Sequence, residues 1–208
     1  MPTRRSSTRD VRGVEFRGSI EKDTTVAKFE PVLMANMHKV DSHTLKVYEA
    51  GGGYRGLRKA LKEMTPDQVT ETVKASGLRG RGGAGFPTGL KWTFLPKNHP
   101  GPIYMCINAD ESEPGTFNNR YLMELDPHQV IEGIILSCYA TKAVTAYLYI
   151  RVEYPLSRKR LQSAIDECYA AGLLGKNILG TDFSLDIFIH VGAAAYICGE
   201  ETGLIESL

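Results

Sequence analysis

The sequence has no long apolar run and almost no net charge. None of its apolar stretches approaches the roughly 18–20 residues needed to span a bilayer, so we expect no direct membrane insertion. The formal net charge is only +1 at pH 7, whereas nucleic-acid-binding domains carry a marked basic excess. These features argue against a membrane-spanning segment and against a nucleic-acid partner. A hydrophobic content of 42% over 208 residues indicates a globular chain with a sizeable core.

The four cysteines form no CxxC pair, so they lack the spacing of a zinc or iron–sulfur site. Cys106, Cys138, Cys168 and Cys198 each lie in an apolar context. This context predicts buried, reduced thiols in a reducing compartment.

No combination of His, Cys and Ser suggests a nucleophilic triad. His128 is predicted at the start of a helix and His190 in or beside a strand, while the other three histidines lie in irregular sequence. The absence of an acid–base or nucleophile set favours chemistry carried out by a bound cofactor.

Residues 1 to about 30 show no clear periodicity and are predicted to form a tail or an extended arm. Four arginines among the first dozen residues resemble a transit peptide, but an early Asp10 and the lack of an apolar segment favour a disordered basic tail. We predict an N-terminal arm with helices over residues 1–76 and an α/β domain over residues 77–208.

Helix signals occur at several points along the chain. A helix is predicted after Gly53, and Thr65-Pro66-Asp67-Gln68 is a capping box that opens another helix ending at Gly77. Asp126-Pro127-His128-Gln129 repeats this pattern, and Pro155 opens a helix that closes near Gly172. A further helix is predicted to begin near Gly199.

Three apolar or β-branched runs, residues 103–108, 144–152 and 183–191, are predicted strands. Because strands alternate with helices, we expect an α/β fold with a parallel sheet and helices on its faces. Ligands of such sheets bind beyond the carboxyl ends of the strands. The polar loops after the first and third strands should therefore meet at one edge.

The most unusual stretch, residues 77–92, reads GLRGRGGAGFPTGLKW. Glycine backbone can approach phosphate oxygens closely, and the arginines, lysine and aromatic rings suit a phosphorylated aromatic cofactor. The pattern from Gly80 to Gly85 matches a dinucleotide fingerprint, but a predicted helix precedes it and Pro87 follows, against a Rossmann entry. Gly-Lys-Ser/Thr is missing, against a Walker A loop. A flexible surface loop is the remaining alternative.

Two acidic loops follow the first and third predicted strands, at residues 108–116 and 196–203. Their carboxylates could accept hydrogen bonds from vicinal hydroxyls, as in a sugar or a ribityl chain. They could instead bind a divalent cation, although Asp110-x-Ser112 lacks the ligand alternation of a calcium loop. A solvated acidic surface is the third alternative.

Taken together, GLRGRGGAGFPTGLKW at 77–92, NADESEPGT at 108–116 and YICGEET at 196–202 resemble the family of flavin-bearing F-type (51-kDa) subunits of NADH:quinone oxidoreductase, respiratory complex I. The resemblance covers roughly residues 45–208. It implies a Rossmann-like parallel sheet with helices on both faces, preceded by a short, partly helical N-terminal region. It also implies that FMN accepts a hydride directly from NADH and passes electrons singly to iron–sulfur clusters towards quinone.

The resemblance assigns cofactor contacts to positions of this sequence. FMN would be held by Gly80, Arg81, Gly82, Lys91, Asn108, Asp110, Glu111, Ser112, Tyr196, Gly199 and Glu200. Phe86 and Phe94 would sandwich the adenine of NADH, and Glu113 and Glu201 would contact its nicotinamide half. No metal ligand and no catalytic side chain are implied within residues 1–208.

The family also implies partners and a location. These are other peripheral-arm subunits, above all the 24-kDa E-type subunit with its 2Fe–2S cluster and the G-type iron–sulfur subunit, on the cytoplasmic side of a bacterial membrane rather than in a mitochondrial matrix. Family members are more than twice as long and carry a ubiquitin-like domain and a 4Fe–4S domain, so we interpret this chain as an N-terminal fragment. Gly203 replaces the usual alanine, and Asn118-Asn119 replace charged residues.

Two alternative functions remain open. Diaphorase subunits of NAD-linked hydrogenases and formate dehydrogenases carry the same motifs. A non-catalytic interaction fragment is the other alternative. Rnf-type subunits differ in the acidic loop, and Ser112 and Gly115-Thr116 argue against them.

Overall fold

A computed structural model describes residues 30–96 and 98–208. The predictions for residues 1–29, an arm and a basic tail, lie outside the described residues. Pro31–Leu208 form one compact unit, and the division at residue 77 stays a prediction. The elements are α1 (Leu45–Ala50), α2 (Arg55–Glu63), α3 (Pro66–Ala75), α4 (Thr88–Trp92), β1 (Ile103–Ala109), α5 (Asn118–Leu125), α6 (Pro127–Thr141), β2 (Ala143–Arg151), α7 (Pro155–Ala170), β3 (Asp186–Gly192) and α8 (Glu201–Ser207).

The three strands form a parallel sheet in the order β1-β2-β3. This confirms the predicted α/β class. The register pairs Ala109 with Ile150 and Ile150 with Val191, so the carboxyl ends of all three strands lie at the same edge. The loops that follow β1 and β3 therefore both leave from that edge.

The main core lies between one face of the sheet and helices α6 and α7. Ile131 and Ile135 of α6 and Leu161 and Ile165 of α7 pack with alternate residues of the strands, such as Leu148. The apolar positions recur at helical spacing, which explains why these segments fold as amphipathic helices against a sheet. Helices α1, α2 and α3 pack in turn against α6.

The second face of the sheet is only partly covered among the described residues. At its carboxyl end, Tyr149 packs with Cys198 and Leu204 of the α8 region. Farther back, Tyr104 and Phe188 are about half exposed, and the ring of Tyr147 lies between theirs with centroid distances of 6.3 and 5.9 Å. An aromatic ladder thus crosses all three strands.

The capping box that opens α3 is confirmed. Gln68 N donates to Thr65 Oγ1 at 3.3 Å, and Thr65 N donates to Gln68 Oε1 at 2.8 Å. The corresponding box at Asp126 is wrong, because its side chain does not cap α6. Instead, Asp126 Oδ2 accepts a hydrogen bond from Asn36 Nδ2 at 2.9 Å.

Other predictions need correction at single positions. Cys106 is exposed, whereas the other three cysteines are buried, because Cys106 points to the uncovered face of β1. Strand β3 begins at Asp186 rather than at residue 183. Helices α1, α4 and α5 were not predicted, since each is short and α5 opens with two asparagines. Among residues 30–96 and 98–208, no helix is long and apolar enough to cross a membrane.

A fully buried histidine anchors the helical layer. His128 Nδ1 lies 3.0 Å from Tyr54 Oη, which is also 3.1 Å from Cys168 Sγ. Nε2 of His128 lies 3.4 Å from Glu167 Oε2. Burial lowers the pKa of His128 despite the opposing effect of Glu167, so the imidazole is neutral in the folded protein.

We expect this histidine to make stability fall as the pH drops below about 6.5. The unfolded chain then binds a proton that the folded chain does not, which costs up to about 1.4 kcal/mol per pH unit. Urea unfolding at pH 7.5 and 5.5 measures this, and His128→Asn should show a smaller difference between the two pH values. His43, whose pKa burial also lowers, contributes with the same sign in both proteins. An identical pH dependence in the variant would contradict the assignment to His128.

The sheet requires glycine at position 192. A Cβ there would lie 2.5 Å from Tyr149 Oη and 2.6 Å from its ring. We therefore expect Gly192→Ala to push Tyr149 off the α8 region and to lower the free energy of unfolding by about 1–3 kcal/mol. Gly133→Ala on α6 is the matched control, because its added Cβ meets nothing within 4 Å, and it should be neutral or stabilising. Equal unfolding midpoints for the two variants would contradict this interpretation.

Candidate functional site

A cavity of about 870 Å³ lies at the carboxyl edge of the sheet. Three segments line it: the glycine-rich loop, the acidic loop after β1 with the start of α5, and the turn after β3. Of the predicted FMN residues, it brings together Arg81, Gly82, Asn108, Asp110, Glu111, Ser112, Tyr196, Gly199 and Glu200, and of the predicted NADH residues Glu113. The volume is within the range typical of small-molecule sites.

Asn108, near the end of β1, joins two of the three segments. Its Nδ2 donates to the carbonyl of Gly199 at 2.8 Å, so the loop after β1 is tied to the turn after β3. Its Oδ1 accepts from Asp110 N at 3.0 Å. One amide side chain therefore bonds across the cavity and shapes the loop that follows its own strand.

Asp110 offers an acceptor with no partner inside the protein. Ser112 Oγ donates to Asp110 Oδ1 at 3.0 Å, while the buried Oδ2 has no hydrogen-bond partner. A buried carboxylate oxygen without a donor is costly. The arrangement suits a ligand that brings a hydroxyl or amide N–H to this position.

Glu111, by contrast, is already fully engaged. Its Oε1 accepts from Asn119 N at 2.9 Å, and its Oε2 accepts from Arg120 N at 3.2 Å and from Tyr154 Oη at 3.1 Å. The carboxylate thus satisfies amide donors in the first turn of α5, where helices leave them without partners.

Glu113 and Tyr196 bond to each other across the mouth of the cavity. The Tyr196 hydroxyl donates to Glu113 Oε2, and this bond raises the pKa of Tyr196. Both side chains lie largely in solvent. The contact joins the acidic loop to the turn that begins at Tyr196.

Glu200 caps the last helix. Its carboxylate accepts from the backbone N–H groups of Thr202 and Gly203 and from the Thr202 hydroxyl. These bonds, first the one from the hydroxyl, lower the pKa of Glu200. Glu201 follows as the first residue of α8, and it does not line the cavity.

The glycine-rich stretch forms a closed turn. Gly80 N donates to the Phe86 carbonyl at 2.9 Å, Thr88 N donates to the Leu78 carbonyl at 2.9 Å, and Arg79 bonds the Gly85 carbonyl at 3.1 Å. This backbone pairing argues against the flexible-loop alternative. At its tip, Arg81, Gly82 and Gly83 line the cavity.

The remaining predicted residues lie outside the cavity lining. Lys91 is exposed on α4. Phe86 and Phe94 are exposed neighbours with ring centroids 5.9 Å apart. Three stacked rings need about 7 Å between the outer two, so the phenylalanines must separate for an adenine to lie between them.

The cavity also has lining residues that the sequence analysis did not single out. They are Gly83, Thr116, Asn118, Asn119 and Ile197. The helical start at Asn118 was the signal that was missed, because a helix beginning there turns both asparagines towards the loop. Within the described residues, no group of three or more His, Cys, Asp or Glu side chains could hold a metal ion.

Comparison with protein families finds a match over residues 73–208 to the Nuo51 FMN-binding domain. The curated relatives include the second F-type subunit of the NADH-quinone oxidoreductase of Rhizobium meliloti (strain 1021), 59% identical over 86% of this chain and 43% of its own length. The F-type subunit of the Escherichia coli (strain K12) NADH-quinone oxidoreductase is 52% identical over 79% of this chain and 37% of its own. This chain therefore spans about two fifths of the length of these relatives.

Solved structures agree with this result. An NAD+-reducing NiFe-hydrogenase in its air-oxidized state matches with a TM-score of 0.63 and 35% identity, over 85% of this chain and 27% of the hydrogenase chain. The fold and the resemblance predicted from the three motifs are thus confirmed: the chain belongs to the Nuo51 FMN-binding domain family.

Proposed function

We propose that this chain is the FMN- and NADH-binding part of an NADH dehydrogenase flavoprotein of the NADH:quinone oxidoreductase type. The observation that carries the proposal is the cavity where the glycine-rich turn, the acidic loop and the turn after β3 meet. Family membership and the names of the relatives support the same function.

The residues present fit FMN. Gly82 and Gly83 expose backbone beside Arg81, a combination that suits a phosphate. The unpartnered Asp110 Oδ2, with Asn108 and Ser112 beside it, suits the hydroxyls of a ribityl chain. We therefore assign FMN to Gly80, Arg81, Gly82, Lys91, Asn108, Asp110, Glu111, Ser112, Tyr196, Gly199 and Glu200, with the carboxylate of Glu111 bonded inside the protein.

NADH is assigned to Phe86, Phe94, Glu113 and Glu201, on the outer side of the same cavity. Bound FMN would supply the redox chemistry, taking a hydride from NADH and releasing electrons singly to iron–sulfur clusters. The protein groups then need only bind and orient the two cofactors, which agrees with the lack of a nucleophile or general base among the lining residues.

In a complex, this part would join other subunits of a complex I peripheral arm, with the E-type and G-type iron–sulfur subunits as the expected neighbours. Its location would then be the cytoplasmic side of a bacterial membrane. The 4Fe–4S cluster of the family is expected in a region beyond the part matched here. A diaphorase of an NAD-linked hydrogenase is the second candidate, and the structural likeness to the NAD+-reducing hydrogenase favours it. The higher identity to the F-type subunits favours the first.

We expect the purified chain to bind FMN with a yellow flavin absorbance that bleaches on anaerobic addition of NADH. Asp110→Asn should weaken FMN binding about tenfold, because it alters a buried acceptor proposed to contact the ligand. Asp182→Asn, at an exposed position away from the cavity, is the matched control. A wild-type chain that retains no flavin after reconstitution would leave the non-catalytic interaction fragment as the function of this chain.

We expect Glu113→Ala to weaken reduction by NADH more than retention of FMN. The apparent KM for NADH should rise about tenfold, from the loss of a charged hydrogen-bond acceptor, while the FMN Kd changes little. Stopped-flow bleaching and flavin fluorescence measure the two quantities.

Two further variants sharpen this test. Glu113→Gln keeps an oxygen that can accept from Tyr196, so it separates the charge from the Tyr196 contact. Glu63→Ala, at an exposed position on α2, is the matched control. Equal losses of NADH reduction and FMN binding in Glu113→Ala would contradict the role assigned to Glu113.

A further inference from the structure

The acidic loop is held from outside the cavity by residues that do not line it. Glu111 is 5% exposed, and its carboxylate bonds two amides of α5 and the hydroxyl of Tyr154. Its backbone carbonyl also accepts a hydrogen bond from Arg151 Nη1. Both the side chain and the backbone of Glu111 are therefore held by the segment that follows the core of β2.

Tyr154 is itself firmly placed. It is 8% exposed and directly precedes α7. The guanidinium carbons of Arg120 and Arg151 lie 5.4 and 5.2 Å from the centre of its ring, within the range of cation–π attraction. Arg151 is held in turn by Glu153 at 3.0 Å.

Glu111 lies between two residues that face the cavity. Asp110, with its unpartnered Oδ2, precedes it, and Ser112, which bonds Asp110 Oδ1, follows it. Because the carboxylate and the carbonyl of Glu111 are both anchored, the backbone on either side has few alternative conformations. A loop ordered before the ligand arrives loses less conformational entropy on binding.

We propose that Tyr154 is a positioning residue for flavin binding: its hydroxyl holds Glu111, and Glu111 holds Asp110 and Ser112 towards the ligand. The inference rests on the proposed function, since FMN is taken as the ligand. Burial and the neighbouring Glu111 raise the pKa of Tyr154, so its hydroxyl remains a donor at neutral pH. Neither Tyr154 nor Arg151 touches the cavity.

Tyr154→Phe tests this inference, because it removes the hydroxyl and keeps the ring between the two arginines. We expect the FMN Kd, measured by flavin fluorescence, to rise about tenfold. Tyr169→Phe is the matched control: Tyr169 on α7 donates a hydrogen bond to Asp186 Oδ1 at 2.9 Å, at the amino end of β3. Both variants should lose similar thermal stability, and only Tyr154→Phe should lose flavin affinity.

Hydrogen exchange gives a second measurement that needs no flavin. Amides of residues 109–116 and of Asn119 and Arg120 should exchange faster in Tyr154→Phe and at the wild-type rate in Tyr169→Phe. Unchanged exchange in this loop, or an unchanged FMN Kd in a variant of a flavin-binding wild type, would overturn the role of Tyr154. Failure of the wild type to bind FMN would instead count against the proposed function, and the exchange rates would still decide whether Tyr154 orders the loop.

Discussion

The hydrogen bond from Asn108 to the carbonyl of Gly199 is the contact on which the candidate site depends. The parallel sheet brings the ends of β1 and β3 to one edge, but β2 lies between them. The loops on either side must therefore reach across β2 to enclose a space. Asn108 makes this connection at the floor of the cavity, and the pair Glu113 and Tyr196 makes it at the mouth. The acidic loop is thus fastened at both levels to the turn after β3.

The parts of the fold that follow from local chemistry could be predicted from the sequence. The box at Thr65 has both partners of a reciprocal cap and a proline in the first turn, so it forms. The same letters fail at Asp126, because Asn36, ninety positions earlier in the chain, takes the carboxylate. Periodicity predicts the long helices α6 and α7 and the order of strands and helices, and from that order the shared edge of the sheet follows.

Tertiary context decided what could not be predicted. Cys106 lies in an apolar run, but the face of β1 to which it belongs is not covered among the described residues. Glu111 has the composition of a ligand for hydroxyls, and only the structure shows that α5 and Tyr154 occupy its carboxylate. Since α5 is short and begins with asparagines, no periodic signal marks the helix that gives Glu111 this role.

The conformation of Gly83 has a consequence for chemical synthesis. Its φ is +101°, and an added Cβ would meet no atom within 4 Å. An L-residue is therefore disfavoured by backbone handedness and not by lack of space. A D-amino acid favours this region of backbone conformation, as in designed turns. A semisynthetic chain with D-alanine at this position would keep the backbone N–H groups of the turn in place while reducing the freedom of the unfolded chain.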